Sequence, residues 1–268
     1  MVKTVVITGS SRGFGYAMLE LFAKAGCNVV VCATKEKEIA EAEKKLNSLN
    51  STGMVLSQQC DVTNREDLNR LTEKIVRKTG AIDIWINNAG VNQADKWAWD
   101  IPSEDVSKLI DINLKGDIFA TQAVMQVMKK QNRGAIYFVE GFGYDGNARP
   151  RLSIYGTRKR GVDFFADGLR EDIREASLNV QVGSIIPGIM ITDFLYSAVG
   201  EDRRIEIPAK TKKVYNILGD YPETIAQYMV PKILANKKPY AKFAWLTNAR
   251  ATARFMTAGF RKRDYFSE

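Results

Sequence analysis

The chain has 268 residues, with 39 basic and 31 acidic side chains, a formal net charge of +8 and no histidine. The missing histidine excludes a Ser-His-Asp triad and any histidine-held metal, which leaves acid–base work to Tyr, Lys, Asp, Glu or Cys. A hydrophobic fraction of 45% suffices for one large core, no apolar run is long enough to span a bilayer, and the excess charge reads as a solvated basic surface.

Taken in order, the chain alternates between two periods. Strands are expected at 3–7, 28–33, 54–60, 82–87, 135–140 and 179–186. Helices are expected at 13–25, 35–49, 65–79, 103–130, 155–176 and 223–235. Alternation of this kind implies right-handed crossovers and an α/β fold, a doubly wound parallel sheet covered by helices on both faces. One Rossmann-type domain over 1–268 is expected, because nothing late in the chain resembles a second core. A strand that begins by Val2 leaves no room for a signal peptide. Cys27, Cys32 and Cys60 have no metal-ligand spacing and read as small core residues of a reduced, cytoplasmic protein, with no metal.

Between the first strand and first helix runs Thr8-Gly9-Ser10-Ser11-Arg12-Gly13-Phe14-Gly15. Glycines here permit a sharp reversal, a close backbone approach to a pyrophosphate, and tight packing of helix on strand. The helix N-terminus then offers free N–H groups and its positive dipole end to phosphates. The second strand ends in Cys32-Ala33-Thr34-Lys35, with no acid to accept the ribose 2′-OH of NAD. Arg12 and Lys35 are placed to meet a 2′-phosphate, so NADP(H) is favoured over NAD(H). Farther on, Tyr155 and Lys159 lie one helical turn apart and share a face. An ammonium beside a phenol favours the phenolate, which suits the tyrosine to proton exchange.

The glycine spacing Gly9-x-x-x-Gly13-x-Gly15, together with Asp61-Val62, Asn87-Asn88-Ala89-Gly90, Asn113, Tyr155-x-x-x-Lys159 and Pro187-Gly188, resembles the short-chain dehydrogenase/reductase family. The resemblance runs from residue 2 to about 193. It implies that Gly9, Ser11, Gly13 and Phe14 belong to the cofactor-binding turn, with Arg12, Thr34 and Lys35 at the phosphorylated ribose. Asp61 and Val62 would meet the adenine, and Asn88, Ala89 and Gly90 would line its ribose. Tyr155 would be the acid in reduction and the base in oxidation. Lys159 would also hold the nicotinamide ribose, Asn113 would support a water-mediated proton relay, and Pro187, Gly188, Ile189 and Thr192 would frame the carboxamide.

One departure stands out. The family carries a serine at the end of the fifth strand, where it bonds the substrate oxygen. Here that stretch is Val139-Glu140-Gly141-Phe142-Gly143-Tyr144. Tyr144, Ser153 or a backbone N–H are candidates to fill the gap, and Glu140, Phe142, Tyr144 and Trp97 are candidate substrate contacts. The plant chlorophyll b reductases are similar at this acid-Gly-x-Gly stretch, and also at Ile82–Gly90 and at Tyr221-Pro222-Glu223-Thr224-Ile225-Ala226.

The segment 193–222 is polar and irregular and reads as a substrate lid. Trp97, Trp99, Phe194, Leu195 and Tyr196 are candidates to wall a pocket for a bulky apolar substrate, and Arg149 and Arg151 to meet a substrate carboxylate. The tail 247–268 mixes Phe255, Met256 and Phe260 with Arg250, Arg254 and Arg261 to Arg263. A basic amphipathic helix of this kind packs on a subunit or on an anionic membrane, and a homodimer or homotetramer is the favoured arrangement. No nucleic-acid partner is expected. Three functions follow: an NADPH-dependent carbonyl reductase, an NADP(H)-binding sensor or partner with little catalysis, and a membrane-docking protein.

Overall fold

The computed structural model describes residues 2–200, 205–261 and 263–267. Glu201–Arg204 of the expected lid and Lys262 and Glu268 of the tail lie outside the described residues. Seven parallel strands form one sheet: β1 (Thr4–Thr8), β2 (Asn28–Ala33), β3 (Val55–Gln59), β4 (Ile84–Asn87), β5 (Gly134–Val139), β6 (Val180–Ile186) and β7 (Tyr240–Ala244), in the order β3-β2-β1-β4-β5-β6-β7. Strands β1, β2, β4 and β5 are buried on both faces. That is why they read as unbroken runs of Val and Ile rather than as alternating patterns.

Helices cover both faces. On one side α1 (Gly13–Lys24), α2 (Glu36–Asn47) and α8 (Pro222–Ala235) pack Phe22, Leu46 and Met229 against Val5, Val29 and Tyr137. On the other, α3 (Arg65–Thr79), α5 (Gly116–Gln131) and α6 (Ser153–Glu175) pack Leu71, Val124 and Val162 against Val6, Trp85 and Phe138. The strand order reverses between β1 and β4, and this opens a crevice at the carboxyl ends of the strands.

Three differences from the expected elements stand out. The single helix expected over 103–130 is α4 (Ser103–Ile110) and α5 joined through a π-helical turn, Asp111–Lys115, which carries the buried Asn113. An extra residue in a helical turn leaves the apolar period nearly intact, so the pattern hides it. Strand β7 was not expected, because Tyr240-Ala241-Lys242-Phe243-Ala244 is a half-exposed edge strand with little apolar signal. Within the lid, which was expected to be irregular, Ala209–Leu218 forms α7. The tail helix α9 spans Asn248–Thr257. Among the described residues no helix is long and apolar enough to cross a membrane.

Asp220 fastens the lid and tail to the sheet. It is buried and pairs with Arg254 at 2.7 Å and Arg263 at 2.9 Å, and it accepts a hydrogen bond from the Trp245 indole at 2.6 Å. Its backbone N–H donates to Ile189 O and its carbonyl accepts from Ile191 N. Asp220→Ala would take the carboxylate partner from both guanidinium groups and leave them their carbonyl partners, and hydrogen bonds to charged partners are worth about 1.5–3 kcal/mol. We expect a loss of about 2 kcal/mol in urea unfolding and faster amide exchange in α9. Wild-type exchange in α9 would refute this role.

Candidate active site

At the β1–α1 turn, Gly9 has φ +63°, a left-handed conformation that side chains resist, and a Cβ there would come within 2.9 Å of Ala89 Cα. The turn is stitched to the end of β4. Thr8 Oγ1 accepts from Asn88 N and Ala89 N, and Asn88 Nδ2 donates to Thr8 O and Gly9 O. No side chain caps α1, which leaves its first N–H groups for an anion. Gly15 faces Asn88, and a Cβ there would lie 2.7 Å from Asn88 Nδ2. Gly15→Ala must push Asn88 off its bonds, and overpacking of this kind costs about 1–3 kcal/mol. We expect dinucleotide affinity to fall about tenfold by calorimetry, one decade per 1.4 kcal/mol.

From this turn a cavity of about 570 Å³ runs to Tyr155. Gly9, Ser11, Arg12, Gly13, Phe14, Thr34, Lys35, Asp61, Val62, Asn88, Ala89, Gly90, Tyr155, Lys159 and Thr192, all singled out in the sequence, line it together. Asp61 accepts two bonds from Thr63 through one carboxylate oxygen, both at 2.8 Å, which fixes the carboxylate at the cavity wall. Shape, uncapped helix end and lining fit a dinucleotide.

Other expected residues lie elsewhere. Asn113 is fully buried behind the wall, where its amide pairs both ways with the Val91 backbone. Pro187, Gly188 and Ile189 are not among the lining residues, although Met190 and Thr192 just beyond them are. Nor are Phe142, Tyr144, Trp97 and Ser153. The Phe142 ring lies under Arg149, 4.6 Å from its guanidinium carbon. Trp97 stacks on Trp99 at 5.5 Å and carries Arg151 at 4.7 Å. These two arginines therefore sit on aromatic rings. Tyr144 lies beside Lys242, at the β7 side of α6.

At the reacting end, Lys159 Nζ donates to Val139 O. The Tyr155 hydroxyl and Lys159 Cε both lie against Gly141, where an added Cβ would sit 2.5 Å and 3.1 Å from them. The unusual glycine of this stretch thus makes the space that the phenol occupies. Gln93 is a positioning residue that the sequence did not signal. It is buried, accepts from Tyr155 N at 2.8 Å and donates to Arg151 O at 2.6 Å, which pins the start of α6. Burial pushes the phenol of the half-buried Tyr215 on α7 above the usual tyrosine range, against the opposing pull of the nearby Arg149.

Glu38, Asp117 and Arg158 escaped the sequence reading. Glu38 of α2 accepts from Ser11 Oγ at 3.1 Å and pairs with Lys35 at 3.1 Å and Arg12 at 3.8 Å. Its place three residues after Lys35 was a visible signal. Arg12 also reaches Asp193 at 3.8 Å. Beneath Tyr155, Asp117 and Glu140 face Arg158 and Lys159 in a buried cluster. Burial, with Arg158 close by, pulls the Lys159 ammonium down from the usual lysine range, and burial pushes the Asp117 and Glu140 carboxyls up. Both Glu140 carboxylate oxygens and Arg158 Nε have no hydrogen-bond partner.

The model of the short chain dehydrogenase family matches residues 3–202. The chain belongs to the short-chain dehydrogenase family. Chlorophyll(ide) b reductase NOL of Arabidopsis thaliana is 32% identical over 98% of this chain and 76% of its own length. The Oryza sativa protein named "Probable chlorophyll(ide) b reductase NYC1, chloroplastic" is 29% identical over 99% of this chain, which spans 54% of it; the chain thus covers about half the length of the NYC1 relatives. An NAD⁺-bound xylitol dehydrogenase superposes with a TM-score of 0.76 at 22% identity, covering 90% of this chain and 96% of that one. A metagenomic short-chain oxidoreductase in complex with NADP gives 0.70 at 20% identity, covering 90% and 95%. The fold is therefore the family's, and the likeness to the chlorophyll b reductase group extends to nearly the whole chain.

Proposed function

We propose that this chain is an NADP(H)-dependent reductase of a bulky, mostly apolar aldehyde or ketone, able to oxidise the corresponding alcohol in reverse. The observation that carries this reading is the placement of Tyr155 and Lys159, side by side on α6 in the same cavity as the uncapped end of α1. The bound nicotinamide supplies the hydride. Tyr155 gives its hydroxyl proton to the substrate oxygen, and takes it back in oxidation. Lys159, anchored on Val139 O, holds a positive charge beside that phenol. Gly141 keeps the phenol's place open, and Gln93 fixes the helix that carries it.

Support for the NADP(H) form comes from Ser11, Arg12, Thr34 and Lys35 around one corner of the cavity. Glu38 there pairs with both cations, and its carboxylate would oppose a 2′-phosphate. Glu38→Gln separates the roles. We expect it to tighten NADPH several-fold and leave NADH nearly unchanged. A large loss of NADH affinity would instead mean that Glu38 binds ribose hydroxyls and that the chain prefers NAD(H).

The direct test follows the absorbance of NADPH and NADH with a panel of bulky aldehydes and ketones, ring-bearing ones included. Oxidation of NADPH by at least one carbonyl is expected. Tight NADPH binding with no oxidation across the panel would favour the second reading, a dinucleotide-binding sensor with little catalysis. The observation behind that reading is that neither Tyr144 nor Ser153 reaches the cavity to replace the missing serine.

A further inference from the structure

We propose that Arg158 is a catalytic residue that takes the place of the family's serine, with its guanidinium as the second hydrogen-bond donor at the reacting oxygen. The inference rests on the reductase reading above. Arg158 is the residue immediately before Lys159, and one helical turn brings it to the face that carries Tyr155. Its guanidinium carbon lies 4.1 Å from the centroid of the Tyr155 ring, over the ring face. The side chain is 2% exposed, lines the cavity, and has an Nε with no partner in the protein.

A buried arginine with an unsatisfied N–H is costly unless something occupies that donor. Two features argue that the group is held here on purpose. First, Asp117 on α5 and Glu140 after β5 are buried near it on two other elements, so carboxyl groups flank the guanidinium inside the fold. Second, Tyr144 and Ser153, the candidates named from the sequence, lie away from the cavity, so the substrate oxygen has no hydroxyl donor besides Tyr155 from that stretch. A guanidinium presents five N–H donors in a rigid fork. One edge stays on Tyr155 while another meets the oxygen as it gains negative charge.

The proton balance is simple. During reduction a bound nicotinamide would supply the hydride for the new C–H bond and be left oxidised. The Tyr155 O–H bond breaks and its proton ends on the substrate oxygen. Arg158 remains protonated throughout and loses nothing. Its contribution is a donor placed in advance where charge develops, and removal of one such donor typically costs about 10²–10³ in turnover.

The test uses the full chain with NADPH and trifluoroacetophenone, an activated aryl ketone, as the probe. Arg158→Gln is expected to lower kcat by about a hundredfold while KM and NADPH affinity stay within about fivefold. Methylguanidine added to Arg158→Ala is expected to restore part of the rate saturably, which a merely structural role would not allow. In parallel, the NMR signal of ¹³Cζ-labelled tyrosine, assigned to Tyr155 through Tyr155→Phe, is expected to move in Arg158→Gln. That signal is read without any carbonyl, so it decides even if the probe is a poor substrate. If Arg158→Gln fails to bind NADPH, Arg158→Lys takes its place, and a lowered kcat with a moved signal is expected. Wild-type kcat and an unmoved signal in the variant that binds NADPH, with Tyr155→Phe inactive, would overturn the Arg158 proposal alone. Full activity in Tyr155→Phe would overturn the reductase mechanism itself.

Discussion

Tyr155→Phe will lower turnover by about a thousandfold, within the 10²–10⁴ range that a positioned general acid contributes, and leave NADPH affinity within about tenfold. The substitution removes one oxygen and no ring. Phenylalanine can keep the stacking under Arg158 at 4.1 Å and the backbone bond from Tyr155 N to Gln93, so the helix and the cavity survive. Only the transferable proton is lost. The measurement is single-turnover NADPH oxidation on any carbonyl that the wild type reduces, alongside a binding titration. A kcat within threefold of wild type would remove Tyr155 from the mechanism.

The double variant Arg12→Ala, Lys35→Ala is expected to weaken NADPH by about a hundredfold and NADH by only a few-fold. Each side chain would lose one charge-assisted bond to the 2′-phosphate, worth about 1.5 kcal/mol at the low end of the range, and about 3 kcal/mol together is roughly two decades in Kd. The low end applies because both side chains are largely exposed, at 61% and 68%, where water screens charge. Glu38 modifies the outcome. With both cations gone its carboxylate stands alone beside Ser11, and repulsion of the phosphate adds to the loss. Restoring neutrality with Glu38→Gln in the same background should recover part of the NADPH affinity. Equal losses for the two cofactors would mean that the discrimination resides elsewhere.

Much of this protein was legible before any coordinates. The parallel sheet followed from β1, β2, β4 and β5, whose uninterrupted Val and Ile runs signal burial on both faces. The dinucleotide turn followed from Gly9, Gly13 and Gly15 between a strand and an amphipathic helix, since backbone approach and left-handed φ are properties of residue type. The pairing of Tyr155 with Lys159 followed from helical spacing alone. These are local facts, fixed within a few residues of sequence, and so the sequence by itself determined them. Glu38 belongs in the same class, since it stands three residues after Lys35 on one helix.

What the tertiary structure decided involves residues far apart in the chain. Gln93 reaches Tyr155 across 62 positions, and Asp220 gathers Trp245, Arg254 and Arg263; no periodicity announces either. The π-helical turn at Asn113 depends on packing that accepts one extra residue, and β7 forms because an exposed edge gains a hydrogen-bonded neighbour in β6. The directions of Tyr144 and Phe142 depend on where the loop after β5 turns, and that of Trp97 on the loop after β4, and the sequence left both open. The cluster of Asp117, Glu140, Arg158 and Lys159 is the sharpest case. Its members come from two helices and a strand end; Lys159 and Glu140 stood out in the sequence, but Asp117 and Arg158 did not, and nothing local joined the four. Only folding removes them from water together, and in that low-polarity setting their mutual charges, rather than solvent, set what each group can do.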